Sequence, residues 1–257
     1  MTTSPARVVE IMQVPFHALT EADAVEVVLG SLTRGVGGWV VTPNTDILRQ
    51  TSHDGELRLL VKAADLILPD GMPVVWASQL MGAPLSRAAG STLVPLLAEA
   101  LAGCGRRLFL LGAEPGVAAA AARALGRRHP ALQVCGILSP THGFEYDQSA
   151  VQAILAEVGA ARPDVVLVAL PFPKQERLIQ ELRPLLPQTW FLGIGAGLDF
   201  IAGRRRRAPR WAQRAGLEWL WRLVQEPRRL GARYLLHDVP FALRLLAHGL
   251  RRRALTG

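Results

Sequence analysis

The chain has 257 residues, of which 50% are hydrophobic and 19% are charged, and its formal net charge is +8. This composition is too apolar and too weakly charged for a disordered chain, and the length suffices for one large domain or two smaller ones. Two cysteines exclude a disulfide scaffold and a four-cysteine zinc site, and no apolar run approaches the ~18 residues of a membrane-spanning helix.

Short β-rich apolar runs alternate with longer Ala- and Leu-rich stretches. The runs predict strands at 39–42, 65–68, 107–111, 133–137, 164–170 and 190–194. The stretches between them predict helices at about 44–63, 73–81, 91–103, 115–128, 147–160 and 174–186. Apolar strands alternating with helices indicate a mostly parallel sheet covered on both faces, an open doubly wound α/β domain. Ligands of such sheets bind beyond the carboxyl ends of the strands.

The first polar motifs follow two of these strands. Thr42 and Asn44 come at the end of the first, where they can hydrogen-bond a sugar hydroxyl or cap the next helix. Asp70 and Gly71 come after the second, between two prolines. Asp-Gly is first of all a turn signal, but a carboxylate at the end of a central strand can also act as a general base.

Two later segments place backbone N–H groups at helix N-termini, which favours a phosphate. Ser91 and Thr92 open one helix, and Gly112, Ala113 and Glu114 link a strand to another. Neither segment matches a phosphate-loop motif, so an ordinary tight turn is an equal alternative.

The run from Phe172 to Glu176 follows the most strand-like stretch of the chain. Pro173 suits a helix start, and Lys174 and Gln175 lie in the first turn. Because a cation there opposes the helix dipole, we interpret Lys174 or Gln175 as retained for a ligand.

The glycine-rich segment with Gly195, Gly197 and Asp199 looks like a dinucleotide-binding loop, but its spacing is wrong and it comes late in the chain. We therefore reject nicotinamide binding and interpret the glycines as allowing close backbone approach to a nucleotide or the sheet. No D-x-D pair, H-E-x-x-H motif or Cys/His cluster occurs, so the sequence predicts neither a metal site nor a cofactor.

After residue 203 the pattern changes to helices alone. Residues 204–257 hold 14 arginines and three acidic residues, a net charge of +11, whereas residues 1–203 carry −3. We predict an α/β domain over 1–203 and a cationic helical appendage over 204–257, with helices at 211–226 and from 228 to about 250. Such an appendage suits nucleic acid, an anionic membrane surface or a phosphorylated substrate.

Two alternatives bear on this appendage. An Arg-rich coding habit explains why the chain has 27 Arg and 2 Lys, but it does not explain the asymmetry of charge. A nucleic-acid-binding module predicts steep salt dependence and duplex binding. Trp211, Trp219 and Trp221 can stack on bases, but they suit a membrane interface or helix packing equally well.

Four blocks of this sequence together resemble the WecG/TagA/CpsF glycosyltransferases, glycosyltransferase family 26. In the family's order they are Thr42-Pro43-Asn44, residues 68–84, residues 172–176 and residues 195–203, and the last continues through 207–211, 216–220 and 225–229. The blocks cover about 40 to 235, nearly the whole chain.

This resemblance implies a Rossmann-like domain with an appendage that meets the membrane. It implies an inverting, metal-independent transfer of a sugar from a UDP-sugar to a polyprenyl-diphosphate-linked acceptor in cell-surface polysaccharide biosynthesis. N-acetylmannosamine, glucose or a similar sugar is the expected donor. We expect a cytoplasmic protein, peripheral on the inner face of the cell membrane, with no nucleic-acid partner, and the N-terminus shows no signal-peptide pattern. Homo-oligomer formation stays open.

By the same resemblance, Asp70 matches the family's general base, and Thr42, Asn44 and Gln175 match polar residues around the reacting sugars. Three arginines of the appendage match the cationic residues that close the substrate pocket in the family: Arg222, Arg229 and Arg233. Substrate binding is expected from the other motif residues, Gly71, Ser91, Thr92, Gly112, Ala113, Glu114, Phe172, Lys174, Gly195, Gly197 and Asp199.

Two positions depart from the family pattern. Gly90-Ser91-Thr92 lacks the acidic residue that often follows in the family, which puts donor contacts there in question. Pro69 stands where Ala is more common and stiffens the turn.

Overall fold

The computed structural model describes residues 6–209, 211–212, 216–225, 231 and 234–256. Within these residues an antiparallel hairpin precedes a sheet of six parallel strands. The hairpin consists of β1 (Val8–Ile11) and β2 (Val14–His17). The sheet strands are β3 (Gly38–Val41), β4 (Leu66–Ile67), β5 (Arg107–Gly112), β6 (Gln133–Leu138), β7 (Val165–Ala169) and β8 (Trp190–Gly193). Their order across the sheet is β4-β3-β8-β7-β5-β6.

The strands are apolar throughout because helices cover both faces of the sheet. Successive side chains of a strand point to opposite faces, so Val166 and Val168 enter one hydrophobic cluster while Val165 and Leu167 enter the other. Every residue of β3, β7 and β8 is buried. The doubly wound α/β fold predicted from the sequence is confirmed.

One face of the sheet carries α2 (Thr45–His53), α3 (Gly55–Lys62), α4 (Met72–Leu80), α7 (Gln148–Ala161) and α8 (Lys174–Leu182). The other face carries α1 (Glu21–Thr33), α5 (Gly90–Gly103), α6 (Val117–Arg128) and α9 (Gly197–Ile201). A short 3₁₀ turn, Phe144–Tyr146, precedes α7.

The single helix predicted over 44–63 is wrong, because two helices meet at Asp54. Its carboxylate accepts hydrogen bonds from the backbone N–H groups of Glu56 and Leu57, at 2.8 and 3.1 Å. Asp54 thereby caps α3 while its own N–H closes the last turn of α2. The sequence carries a signal for this break, since residues 52–56 have no apolar side chain and Asp54-Gly55 is a turn dipeptide.

The sequence patterns do not predict the N-terminal hairpin. Met12 and Gln13 form its turn, with φ of 51° and 63°, which are values typical of a type I′ turn. Asn-Gly is the usual signal for that turn, and Met-Gln gives none. Register comes instead from Ile11 and Val14, which are fully buried in the core beside the sheet.

The C-terminal segment forms a helix at Glu218–Gln225, a π-helical turn at Tyr234–Asp238 and a last helix, Val239–Thr256. The last helix runs past the end at about residue 250 that the sequence predicts. It packs on α4, and its Phe241 and Leu245 belong to the main core. The division into domains at residue 203 stays a prediction, but the last helix shares the core of the α/β layer.

Gly249 lets the last helix approach α4 closely. A Cβ atom there would lie 2.7 Å from the carbonyl oxygen of Ala77, so a larger residue forces the helices apart. We expect Gly249→Ala to lower the free energy of unfolding by about 1–3 kcal/mol, measured by urea denaturation.

Gly159→Ala is the matched control, since Gly159 lies in α7 and a Cβ there meets nothing within 4 Å. It should raise the free energy of unfolding by about 0.5–1 kcal/mol through helix propensity. Equal effects of the two substitutions would contradict the close packing.

Candidate active site

The carboxyl ends of β3 and β4 bring the first two polar motifs together. The backbone N–H of Asp70 donates to the carbonyl of Pro43 at 3.1 Å, which ties the two loops. A Cβ atom on Gly71 would lie 4.0 Å from that of Asn44. Asn44, Asp70 and Gly71 therefore lie close together at the carboxyl edge of the sheet, and their role as site residues stays a prediction.

Asn44 has a structural use in this arrangement. Its side-chain oxygen accepts a hydrogen bond from the N–H of Ile47 at 3.0 Å and caps α2. Both uses considered from the sequence are compatible, since the cap occupies only the amide oxygen and leaves the NH₂ group. Thr42 stands one residue beyond β3 and is partly buried.

A chain of alternating charges extends from Asp70. Arg87 Nε lies 3.6 Å from an Asp70 carboxylate oxygen, and Arg87 also donates to Glu218 at 2.6 Å. Arg207 lies 3.7 Å from the other oxygen of Glu218. Glu218 and Arg207 belong to the cationic segment, so the chain of charges connects the edge of the sheet to the appendage.

The sequence patterns predicted only Asp70 of this cluster as a site residue and missed Arg87, Glu218 and Arg207. Arg87 lies 17 positions after Asp70, in the loop between α4 and α5, where the sequence has no hydrophobic periodicity. The loop returns to Asp70 because the N–H of Ala88 donates to the carbonyl of Pro69 at 2.9 Å. Burial acts to lower the pKa of Arg87, but the carboxylates of Asp70, Glu218 and Glu21 outweigh it and raise the pKa overall. Arg87 is therefore a permanent cation beside Asp70.

Glu21 from α1 supplies a carboxylate at the start of α5. It accepts hydrogen bonds from the N–H of Ala89 at 3.2 Å and from the hydroxyl of Thr92. It thus caps α5, whose N-cap residue has no side-chain acceptor. Ligand binding by Ser91 and Thr92 stays a prediction.

Gly112 and Ala113 form a tight turn at the end of β5. A Cβ atom on Gly112 would lie 2.5 Å from the carbonyl oxygen of Ala169, and the N–H of Ala113 donates to that oxygen at 2.8 Å. Glu114, next in the turn, is exposed. This close contact between β5 and β7 explains the glycine, and phosphate binding stays a prediction.

The motif after β7 carries an ion pair and a buried amide. Lys174, in the first turn of α8, pairs with Glu145 of the 3₁₀ turn. The hydrogen bond from Lys174 holds the pKa of Glu145 below its usual value. Lys174 thus has a carboxylate partner at a position where the helix dipole disfavours a cation. Its contact with a ligand, like that of the partly buried Phe172, stays a prediction.

Gln175 connects α8 to the glycine-rich segment after β8. Its side-chain oxygen accepts a hydrogen bond from the N–H of Gly195 at 3.1 Å, and its NH₂ group donates to Glu176 at 2.7 Å. Glu176 is fully buried. Sequence reasoning gave Glu176 no role, since a Glu in the first turn of a helix is ordinary.

The remaining predicted residues lie in α9, which follows β8, and in the C-terminal segment. Gly197 packs on Ile194, and Asp199 lies 4.0 Å from Arg205. Arg222 belongs to the helix Glu218–Gln225, but the structure does not describe its side chain. Two predicted arginines lie outside the described residues, Arg229 and Arg233.

Two further features of the described residues bear on ligands. They contain no group of three or more His, Cys, Asp or Glu side chains that could hold a metal ion. A cavity of about 500 Å³ lies between β1 and the end of α4, lined by Arg7, Glu10, Met81 and Arg252 among others. Asp70 precedes the opposite end of α4, so this cavity is separate from the predicted site.

The parallel α/β fold and the motifs at its carboxyl edge are consistent with the class that the sequence comparisons show, a glycosyltransferase. The chain belongs to the glycosyl transferase WecG/TagA/CpsF family, whose sequence model matches residues 9–255. It is similar to the N-acetylglucosaminyldiphosphoundecaprenol N-acetyl-beta-D-mannosaminyltransferases of two bacilli. The Bacillus spizizenii enzyme is 34% identical over 77% of this chain and 75% of its own length. The Bacillus subtilis enzyme is 31% identical over 76% of this chain and 74% of its own.

Burial of Glu176 leads to a prediction about pH and stability. Burial raises the pKa of Glu176 from 4.5 to about 7, although the hydrogen bond from Gln175 acts to lower it. Between these values the folded protein binds more protons than the unfolded chain, so stability falls as pH rises. We expect the free energy of unfolding of the wild type to fall by about 3 kcal/mol more than that of Glu176→Gln between pH 5 and pH 8.

Urea unfolding of both proteins at the two pH values measures this difference. All other groups titrate alike in the two proteins, so their contributions cancel in the difference between the wild type and Glu176→Gln. Parallel pH dependence of the two would show that the carboxyl group titrates normally.

Proposed function

We propose that this protein is an inverting glycosyltransferase that moves a sugar from a UDP-sugar to a polyprenyl-diphosphate-linked saccharide in cell-surface polysaccharide biosynthesis. The observation that carries the proposal is Asp70, at the carboxyl edge of the sheet beside Arg87, within a chain of this family. The names of the two relatives favour N-acetylmannosamine as the sugar and N-acetylglucosaminyl-diphospho-polyprenol as the acceptor.

A single displacement needs one base. The acceptor hydroxyl oxygen attacks the anomeric carbon, its proton passes to the Asp70 carboxylate, and the bond from that carbon to the UDP oxygen breaks. Configuration inverts in one step, so no second carboxylate is needed as a nucleophile.

The leaving UDP gains negative charge as the bond breaks, and cations must stabilise it. The sequence has no D-x-D pair for a metal, while residues 204–257 carry +11. We assign this stabilisation to arginines of the appendage, Arg222, Arg229 and Arg233, whose guanidinium groups each bind two phosphate oxygens at once. The chain of charges from Asp70 to Arg207 supports this assignment, since it holds the appendage at the edge of the sheet.

The last helix supports a peripheral position on the inner face of the membrane. Leu243 and Leu250 lie seven residues apart in this helix and are 64% and 55% exposed, and Leu236 of the π-helical turn before it is 69% exposed. Arg244 and Arg251 are exposed beside them. An apolar row flanked by arginines suits an interface with anionic lipid. In the described part of the chain, no helix is both long and apolar enough to cross a bilayer.

A panel of UDP-sugars tests the function directly. UDP release is measured from UDP-N-acetylmannosamine, UDP-N-acetylglucosamine and UDP-glucose, with and without a polyprenyl-diphosphate-linked N-acetylglucosamine acceptor. We expect acceptor-dependent release from the first of these, without added metal and in the presence of a chelator. Release from no donor would refute the proposal.

Asp70→Asn tests the base. The substitution keeps the size of the side chain but removes its basicity, so we expect kcat to fall by about 10²–10⁴-fold. The Kd of UDP, measured by calorimetry, should stay within roughly threefold of the wild-type value. Asp54→Asn is the control, because Asn caps a helix as well as Asp does. Wild-type turnover of Asp70→Asn would exclude it as the base.

Leu243→Asp tests the membrane face. Placing a charge in the apolar row should weaken binding to vesicles containing phosphatidylglycerol by about tenfold or more, measured by co-sedimentation. Leu59→Asp is the matched control, since Leu59 is 68% exposed but lies on α3. Equal binding of both variants would place the membrane contact elsewhere.

A further inference from the structure

Glu176 is a buried carboxylate that the mechanism above does not use. It lies in the first turn of α8 with no exposed surface. One of its oxygens accepts the hydrogen bond from Gln175 at 2.7 Å, and the other has no hydrogen-bond partner among the described residues. No lysine or arginine in the described part of the chain lies within ion-pair distance of it.

The fold itself does not need a carboxylate at this position. A Glu in the first turn of a helix often accepts a hydrogen bond from the N-cap N–H, but the N-cap here is Pro173, which has no N–H. Burying a charged or half-satisfied carboxyl group is unfavourable, and an apolar residue of similar size is often as stable or more stable. Stability alone therefore gives no reason for a carboxyl group at this position.

A use for this carboxyl group is visible in how Gln175 is held. Its side-chain oxygen faces the N–H of Gly195, which can only donate, so its NH₂ group faces Glu176, which can accept. Gly193 leaves the space for this amide, because a Cβ atom there would lie 2.6 Å from the Gln175 nitrogen. The amide is thus held at both ends in one orientation.

We propose that Glu176 is a positioning residue for sugar transfer, which holds the Gln175 amide so that its second N–H donates to an oxygen of the sugar or diphosphate. This inference rests on the proposed function, which places Gln175 at the reacting sugars. In the described residues the Gln175 nitrogen has one acceptor, Glu176, and its second N–H is unassigned. A carboxyl oxygen that accepts from one N–H strengthens the other as a donor, because hydrogen bonds in a chain polarise one another.

Steady-state UDP release by four variants tests this proposal. The variants are Glu176→Met, Glu176→Gln, Gln175→Ala and the double variant Gln175→Ala/Glu176→Met. Methionine removes the acceptor at similar volume, so kcat should fall about 10- to 100-fold while the KM for the donor sugar changes less than about threefold. Its midpoint of thermal unfolding should equal or exceed that of the wild type. Glu176→Gln keeps an acceptor oxygen and should recover most of the lost kcat.

The double variant separates positioning from packing. If Glu176 acts through Gln175, adding Glu176→Met to Gln175→Ala lowers kcat no further than Gln175→Ala alone. Multiplied losses in the double variant, wild-type kcat in Glu176→Met, or equal losses in Glu176→Met and Glu176→Gln would each overturn the proposal. Absence of transfer by the wild-type protein would instead refute the proposed function, and the two failures are therefore distinguishable.

Discussion

The guanidinium of Arg87 lies between the carboxylates of Asp70 and Glu218, and the arrangement of the candidate site depends on this cluster. A cation with a mostly buried side chain is stable only where carboxylates surround it. Two loops of the sheet and the C-terminal segment must therefore come together for the cluster to form. The position of the proposed base and the docking of the appendage are thus set by the same interaction.

A second polar contact holds the adjacent part of the edge. Gln175 joins the start of α8 to the loop after β8, and Glu176 lies buried behind it. Gln175 lies in the first turn of α8, and its amide is held by Gly195 at one end and by Glu176 at the other. In the proposed reaction one cluster manages proton and diphosphate charge, and the other orients a hydrogen-bond donor. The last helix packs on α4 and leaves Leu243 and Leu250 exposed, which are the residues proposed to meet lipid.

Sequence patterns predicted what depends on neighbouring residues. Strands such as β7 were predicted because every side chain is apolar, and the edge with Asn44 and Asp70 was predicted because parallel strands end together. The break at Asp54 and the hairpin turn at Met12 were missed. At the first, the turn dipeptide Asp54-Gly55 was available as a signal but was read as part of one helix. At the second, the left-handed turn has no glycine or asparagine to signal it.

The sequence by itself determined the parallel α/β layer, the motif-bearing edge and the cationic C-terminus, because hydrophobic period, turn residues and charge are local properties of the chain. Only the tertiary structure decided the partners of Arg87 and Glu176. Arg87 meets Glu218 across 131 positions of sequence, and the burial of Glu176 depends on strands and loops outside its own helix. Such pairings follow from how the layers pack, and no short stretch of sequence encodes them.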